Sequence, residues 1–227
     1  MSEQMSAQAQ ESKLREGLAK LALSLSDGQI AALESYTAQV LEFNKGYNLM
    51  KAENRSEFEV NHILDSLAAC QAIESLAKEI SASGKEVRIG DIGSGGGCPG
   101  IPLAVAFPQY TFTLVERMEK RCAFLEQVVR SLNLKNAKVL CLQADKVKPE
   151  SFSIEVFRAF HPFDTKITKL LLGMLCKGGY IAAYKARSEK ITAEMEAISF
   201  MVPSYKKIAL TVPFLEDHER NLVVIQK

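Results

Sequence analysis

The run Val87-Arg88-Ile89-Gly90-Asp91-Ile92-Gly93-Ser94-Gly95-Gly96-Gly97-Cys98-Pro99-Gly100 constrains the fold more than any other part of the chain. β-Branched residues lead into an acid, and five glycines fall within the last eight positions. This pattern predicts a strand, a tight turn and then a helix. Glycine suits the turn because it adopts φ > 0 without strain and lets a ligand approach bare backbone. The N–H groups and positive dipole end of the following helix are expected to face the turn's occupant. A nucleotide-like cofactor, held by its ribose or polar tail, fits such a corner.

From Lys85 onward, strand-like runs alternate with helical ones, which indicates a parallel sheet with crossover helices. The expected strands are 87–92, 110–116, 137–142, 154–158 and 179–185, with helices near 101–107, 117–132, 163–176 and 188–199. In the clearest helix, Met118, Cys122, Leu125, Val129 and Leu132 are spaced by fours and threes. The last two runs, 206–213 and 221–226, have no helix between them and must pair antiparallel.

Before Lys85 the chain reads as helical. Leu14, Leu18, Leu21 and Leu25 mark one helix face. Ser26-Asp27-Gly28-Gln29 and Ser56-Glu57-Phe58-Glu59 match capping boxes that open two further helices. Phe43 to Leu49 reads as a loop, and Ser81-Ala82-Ser83-Gly84 as a linker. The expected division is therefore a helical extension over 1–80 and a sheet-bearing domain over 81–227. Residues 1 to about 12 are polar and expected to fray. They contain no apolar core of the secretory type, and no run is long enough to span a bilayer, so a cytoplasmic protein is expected.

Charge balance excludes a global field for nucleic acid: 28 basic side chains oppose 27 acidic ones. An RNA partner must then be met by a local patch. Cys70, Cys98, Cys122, Cys141 and Cys176 show no CxxC pairing and read as reduced packing residues, with neither a disulfide frame nor a metal site.

The glycines fit GxGxxG, a weak signal alone. An acid, Glu116, ends the next strand 19 residues after Gly97, where a ribose-binding carboxylate belongs. A solvated acid at a helix start would look the same. Pro99 and Pro102 cannot both lie inside a helix, so the helix starts near Ile101-Pro102 and stops before Pro108. A dinucleotide turn normally launches directly into a long helix. Asp91-x-Gly93-x-Gly95-x-Gly97 instead has the form typical of S-adenosylmethionine-dependent methyltransferases. Ala144-Asp145 follows the third strand and is placed to meet an adenine, or is an ordinary loop acid. Arg158 and Lys185 end strands four and five, where they face the cleft or make surface ion pairs. His62 and Asp65 lie three apart, as an oriented pair or a structural hydrogen bond.

Together, Phe43-Asn44-Lys45-x-Tyr47-Asn48-Leu49, His62-Ile63-Leu64-Asp65-Ser66, Asp91-Ile92-Gly93-x-Gly95-x-Gly97-x-Pro99-Gly100-Ile101-Pro102-Leu103, Lys120-Arg121 and Arg158-Ala159-Phe160 come in the order and spacing of one family. The chain resembles the glucose-inhibited division protein B family of bacterial small-subunit rRNA methyltransferases, from about Leu14 to the C-terminus. The resemblance implies an α/β, Rossmann-like class I methyltransferase. Its mostly parallel seven-stranded sheet would end in an antiparallel C-terminal hairpin and carry an N-terminal helical extension. The resemblance further implies methyl transfer from S-adenosylmethionine to N7 of a guanine in 16S rRNA. Cofactor contacts are implied at Gly93, Cys98, Ala144, Asp145 and Arg158, beside Gly95 and Glu116 from the glycine-loop reading. The partner is expected to be small-subunit ribosomal RNA or a ribosomal particle, and the protein a monomer.

Four positions depart from the family: Asn61 replaces an arginine before the His-Ile-Leu-Asp motif, Gly96 a common proline, Ser153 an acid and Ala186 a glycine. Guanine N7 already carries a lone pair, so no strong general base is required. The chemical work becomes in-line positioning and exclusion of water, with His62, Asp65, Arg158 and Lys185 as positioning candidates. Candidate RNA cations are Lys45, Lys51 and Arg55; Arg117, Lys120 and Arg121; and Lys185, Arg187 and Lys190. A nicotinamide-dependent oxidoreductase and a catalytically inactive RNA-binding module are the alternatives.

Overall fold

The computed structural model describes residues 12–227, and the expected fraying of the N-terminus falls almost wholly outside them. Four helical segments come first. Helix α1 spans Leu14–Lys20 and α2 spans Asp27–Asn44. Helix α3 opens at Arg55–Phe58, passes through a π-helical turn over Glu59–Leu64 and closes at Asp65–Leu67, and α4 spans Cys70–Ala82. The sheet region then runs β1 (Arg88–Ile92), α5 (Gly100–Ala106), β2 (Thr111–Glu116), α6 (Glu119–Ser131), β3 (Ala137–Cys141) and β4 (Phe152–Arg158). It continues with α7 (Thr165–Met174), β5 (Leu175–Lys185), α8 (Ser188–Ala197), β6 (Lys206–Ala209) and β7 (Asn221–Gln226).

The seven strands lie in the order β3-β2-β1-β4-β5-β7-β6. β1 to β5 are parallel, and β7 runs antiparallel to both β5 and β6, as the absence of a crossover helix requires. Strand order reverses between β1 and β4, so the crevice at their C-terminal ends is the switch point where open α/β sheets bind ligands.

Both sheet faces are covered, so the central strands are apolar on both sides. One face packs Ile89, Leu114, Ile154 and Ala182 against α1 to α6 in a single continuous cluster. The opposite face packs Ile92, Phe157, Ile181 and Val223 against α7 and α8. The helical extension thus shares its core with the sheet.

Several expectations need correction. α1 stops at Lys20 because Ala22 takes a left-handed φ of 54°, which leaves Leu25 outside the helix. Ser26 and Gln29 do form the expected capping box. The second box does not form: Asn54 caps α3 by accepting from Glu57 N, and Glu59 is wholly buried. Its carboxylate instead accepts from Lys13 N and Leu14 N and pairs with Arg55, which ties α1 to α3. α2 continues to Asn44, and α4 runs through Ala82 into the expected linker. β5 begins at Leu175, earlier than expected, and β6 ends at Ala209. Cys122 and Cys141 are joined as a disulfide, against the reduced reading. Their chain separation of 19 residues hid a pair that meets only once β3 docks beside β2. Among the described residues no helix is long and apolar enough to cross a membrane.

Candidate active site

The corner after β1 is built as its glycines demand. Gly93, Gly95 and Gly97 have φ of 73°, 57° and 108°. Gly93 N and Ser94 N donate to Val115 O at 2.9 and 3.0 Å, which ties the turn to β2. α5 begins only at Gly100 and has seven residues, so the turn itself, and not a helix end, shapes the corner.

Most of the glycines are required by close packing. A Cβ on Gly96 would strike Met50 Sδ, one on Gly97 would meet Ile101 and the Tyr36 hydroxyl, and one on Gly100 would strike Asp91 and Leu114. Gly95 alone of the five faces unfilled space, with only its own loop's Gly93 O at 3.9 Å. No neighbouring side chain walls in the backbone at Gly95, as a ligand resting on bare main chain requires.

Glu116 ends β2 and is 5% exposed. Its Oε2 accepts from Gly95 N at 2.9 Å, and its Oε1 accepts from Arg117 N and Met118 N at 2.8 and 2.9 Å. A carboxylate offers about four lone-pair sites. Three are occupied here, and Arg121 Nη1 stands 3.9 Å from Oε2, beyond hydrogen-bond distance, which leaves one site on the Gly95 side for a hydroxyl donor. The carboxylate therefore braces the glycine turn and faces it. Ala144 and Asp145 lie in a 3₁₀ turn after β3, with Asp145 exposed and loosely paired to Lys146 at 3.9 Å. A carboxylate with spare acceptor capacity beside bare, unobstructed backbone at Gly95 fits the ribose hydroxyls and zwitterionic tail of S-adenosylmethionine in its chemistry.

Beneath the turn, the Tyr36 hydroxyl donates to Gly96 O at 2.7 Å and lies 3.4 Å from Cys98 Sγ. Burial pushes the Cys98 thiol above its ordinary pKa, so it is held as a neutral packing group. Burial also raises the Asp91 carboxyl to about 7, while its Oδ2 accepts from Gly100 N at 3.0 Å. Asn44 closes the loop above: its Oδ1 accepts from Leu49 N and Met50 N, and its Nδ2 donates to Met50 O. That loop sets Met50 onto Gly96.

His62 and Asp65 do not pair with each other. Arg158, from the end of β4, stands between them. It donates to Asp65 Oδ2 at 2.7 Å and to Asn61 O at 2.8 Å, and its Nη2 lies 2.6 Å from His62 Nδ1. Nδ1 must then accept, so Nε2 carries the proton and donates to Lys51 O at 2.8 Å. Burial, followed by the Arg158 charge, lowers the His62 pKa to about 4 and keeps the ring neutral. Arg220 donates from Nε to Asp65 Oδ1 at 2.9 Å. The π-helical turn adds a residue to the helix just before Asp65 and re-aims this face toward the sheet.

These groups line a cavity of about 580 Å³ over the ends of β4 and β5, with Phe160 and Lys185 on its far side. Phe160 also stands over Gly93, where an added Cβ would strike its ring, so cavity and glycine corner adjoin. Lys185 is held by Glu194 at 2.6 Å and lies 4.7 Å from the Phe163 ring centroid. The structure therefore brings Gly93, Gly95, Cys98 and Glu116 to one corner and His62, Asp65, Arg158 and Lys185 to the adjoining cavity. Sequence reasoning assigned no role to Tyr36, Asn44, Phe160 or Arg220. Nothing in the apolar spacing around Tyr36 marks it, whereas Arg220 directly precedes β7, whose antiparallel direction puts its start at the same sheet edge as Arg158.

A seven-stranded sheet of this order, with a glycine corner at its switch point and an acid closing β2, defines a Rossmann-like class I methyltransferase. Solved structures share the fold. A tRNA methyltransferase from Aquifex aeolicus superposes with a TM-score of 0.53 at 17% identity, covering 72% of this chain and 68% of that one. The human methyltransferase 10 domain containing protein gives 0.54 at 12% identity, covering 85% and 96%. The chain belongs to the GidB family, rRNA small subunit methyltransferase G, whose profile matches residues 29–223. A ribosomal RNA small subunit methyltransferase G from Treponema denticola is 36% identical over 217 residues, covering 86% of this chain and 85% of that one. Its counterpart from Cupriavidus pinatubonensis is 33% identical over 226 residues, covering 96% and 94%. The protein is accordingly an S-adenosylmethionine-dependent methyltransferase of small-subunit ribosomal RNA. Neither an oxidoreductase nor an inactive binding module is supported.

Proposed function

We propose that this protein methylates N7 of a guanine in 16S rRNA, with the cofactor held at the β1 corner and the target base in the adjoining cavity. The observation that carries this reading is the open space at Gly95 beside the Glu116 carboxylate, with Phe160 between that corner and the cavity. When bound, S-adenosylmethionine supplies a methyl group activated by its sulfonium charge.

The chain's own groups position and enclose. Gly93 to Gly97 and Cys98 line the polar tail, Glu116 accepts from the ribose, and Ala144 with Asp145 meets the adenine. His62 has one ring nitrogen accepting from Arg158 and the other donating to Lys51 O, so it has no lone pair free to act as a base. Asp65 is shared by two arginines. Neither removes a proton, which suits an acceptor that has none to lose. Arg158 holds the extension against the end of β4 and lends its charge to the cofactor side, while Phe160 offers a face for the base to stack on. Lys185, on the cavity wall, meets the nucleotide's phosphate by exchanging its Glu194 partner for it.

The helices before β1 act as an RNA-facing extension that shares its core with the catalytic sheet. Lys120 lies 4.1 Å from the Tyr47 ring centroid, which brings the start of α6 beside the Lys45 to Lys51 loop, and the exposed cations there are taken as the RNA ridge. The enzyme acts in the cytoplasm, where ribosomal RNA is, with a single chain as the working unit.

The test is transfer of labelled methyl from S-adenosylmethionine onto ribosomal RNA, naked or in small subunits, from a strain lacking this protein. Label at one guanine, released by the reductive strand cleavage that N7-methylguanine permits, is the expected result. Label on another base atom, or none on either substrate, overturns the N7 assignment.

A further inference from the structure

Cys122 and Cys141 meet at the margin of the cofactor corner. Cys141 is the exposed last residue of β3 and pairs in register with Glu116. Cys122 is buried in the second turn of α6. Their Cα atoms are 5.7 Å apart, within the span a disulfide accepts. Cys122 Sγ also lies 3.3 Å from the main-chain carbonyl of Glu116, to which it donates as a thiol and cannot donate as half of a disulfide. The remaining cysteines, Cys70, Cys98 and Cys176, are free.

The position gives the pair something to control. β3 is the edge strand, only partly buried, and its far side has no partner strand among the described residues. Ala144 and Asp145 follow Cys141 by three and four residues. Fraying of the β3 end therefore displaces the adenine side of the cradle while leaving Gly95 and Glu116 in place. A covalent link from Cys141 to α6 prevents that fraying, and the structure shows the Glu116 hydrogen bonds intact with the link made.

We propose that Cys122 and Cys141 are a site of reversible disulfide formation, closed by exchange with a small disulfide of the glutathione type, that clips β3 to α6 and tightens the hold on S-adenosylmethionine. The proposal rests on the cofactor placement given above. The exposed Cys141 thiol loses its proton to solvent, and the thiolate attacks one sulfur of the reagent, releasing the first reagent thiolate, which is protonated. Cys122 then loses its proton and attacks Cys141 Sγ of the mixed disulfide, releasing the second. Two cysteine thiols and one disulfide give one protein disulfide and two small thiols, so two electrons pass from protein to reagent.

The experiment uses the full-length chain, treated with oxidised glutathione or with dithiothreitol. Non-reducing peptide mass mapping, melting temperature and calorimetric affinity for S-adenosylhomocysteine are then compared. The oxidised form is expected to show a Cys122–Cys141 cross-linked peptide, to melt higher by about 5 °C or more, and to bind the probe about threefold or more tighter, a shift of roughly 0.6 kcal/mol or more. Cys141→Ser, which alters an exposed position, is expected to show none of these responses. Absence of the cross-link, or an unchanged melting temperature despite it, overturns the clip. A cross-link that raises the melting temperature but leaves affinity within twofold overturns its coupling to the cofactor. If neither form binds the probe, the cofactor placement fails, and the clip still stands or falls on the mapped link and the melting shift.

Discussion

Arg158 reaches from the end of β4 to the Asp65 carboxylate at 2.7 Å, a contact between residues 93 positions apart that joins the sheet to the helical extension. Arg220 uses the other oxygen of the same carboxylate at 2.9 Å. One buried acid therefore holds two cations, from the ends of two strands, against a helix of the extension.

Removing that acid leaves two partly buried guanidinium groups without their shared partner. Asp65→Ala is expected to destabilise the fold by about 3–5 kcal/mol, the usual cost of breaking a buried pair from one side. Denaturant unfolding of the two proteins measures it, and a loss below about 1 kcal/mol would show that solvent replaces the carboxylate.

Glu116 braces the turn, and substitution separates that role from its proposed contact with the cofactor ribose. Glu116→Gln keeps the shape but loses the charge and part of the acceptor capacity. It is expected to weaken S-adenosylhomocysteine binding about tenfold or more, since charge-assisted hydrogen bonds contribute roughly 1.5–3 kcal/mol each. Isothermal titration reads the change, and unaltered affinity would remove Glu116 from the cofactor site.

Gly95 and Gly90, one open to space and one packed against Phe152, make a matched test. Gly95→Ala places a methyl in open space at φ 57°, costing about 1–2 kcal/mol of stability and blocking the cradle. Cofactor affinity is expected to fall at least about tenfold while the protein stays folded. Gly90→Ala drives a methyl into the Phe152 ring behind β1, so its damage is expected in stability first. Thermal melts and binding titrations on both variants distinguish the two.

Glu155 is wholly buried in β4, and neither of its carboxylate oxygens has a hydrogen-bond partner among the described residues. Burial pushes its pKa well above the ordinary value of 4.5. The folded state thus keeps a proton that the unfolded state releases above that pH. Glu155 costs nothing below the unfolded value, and stability declines as pH rises from there toward the folded pKa. Glu155→Gln removes the penalty. The two melting temperatures are expected to coincide near pH 4 and to diverge by about 3 °C or more at pH 8, with the variant higher. Parallel melting curves across that range would show that Glu155 is ionised and solvated in the native state.

The RNA ridge predicts a salt signature. Arg117 and Lys120 are exposed, and neither forms an ion pair among the described residues. Reversing both charges is expected to weaken rRNA binding about tenfold or more and to reduce the slope of log K against log salt by about two. Filter binding at several salt concentrations measures both. A weaker complex with an unchanged slope would place the lost contacts elsewhere.

Local chemistry alone determined the elements and their order. Glycine's access to positive φ marked the β1 corner, period-two and period-3.6 apolar spacing separated strands from helices, and the missing crossover forced the last strands antiparallel. The same signals put Glu116 and Arg158 at strand ends facing the switch point. Tertiary structure decided the partners. The sequence shows His62 and Asp65 three apart, but only docking of the extension brings Arg158 between them and leaves the imidazole neutral. Glu59 looked like a helix cap and became a buried tie to α1; Cys122 and Cys141 looked like packing residues and became neighbours. Propensity and periodicity act over a few residues, whereas these contacts span 19 to 97, and their geometry exists only after the sheet and the extension share one core.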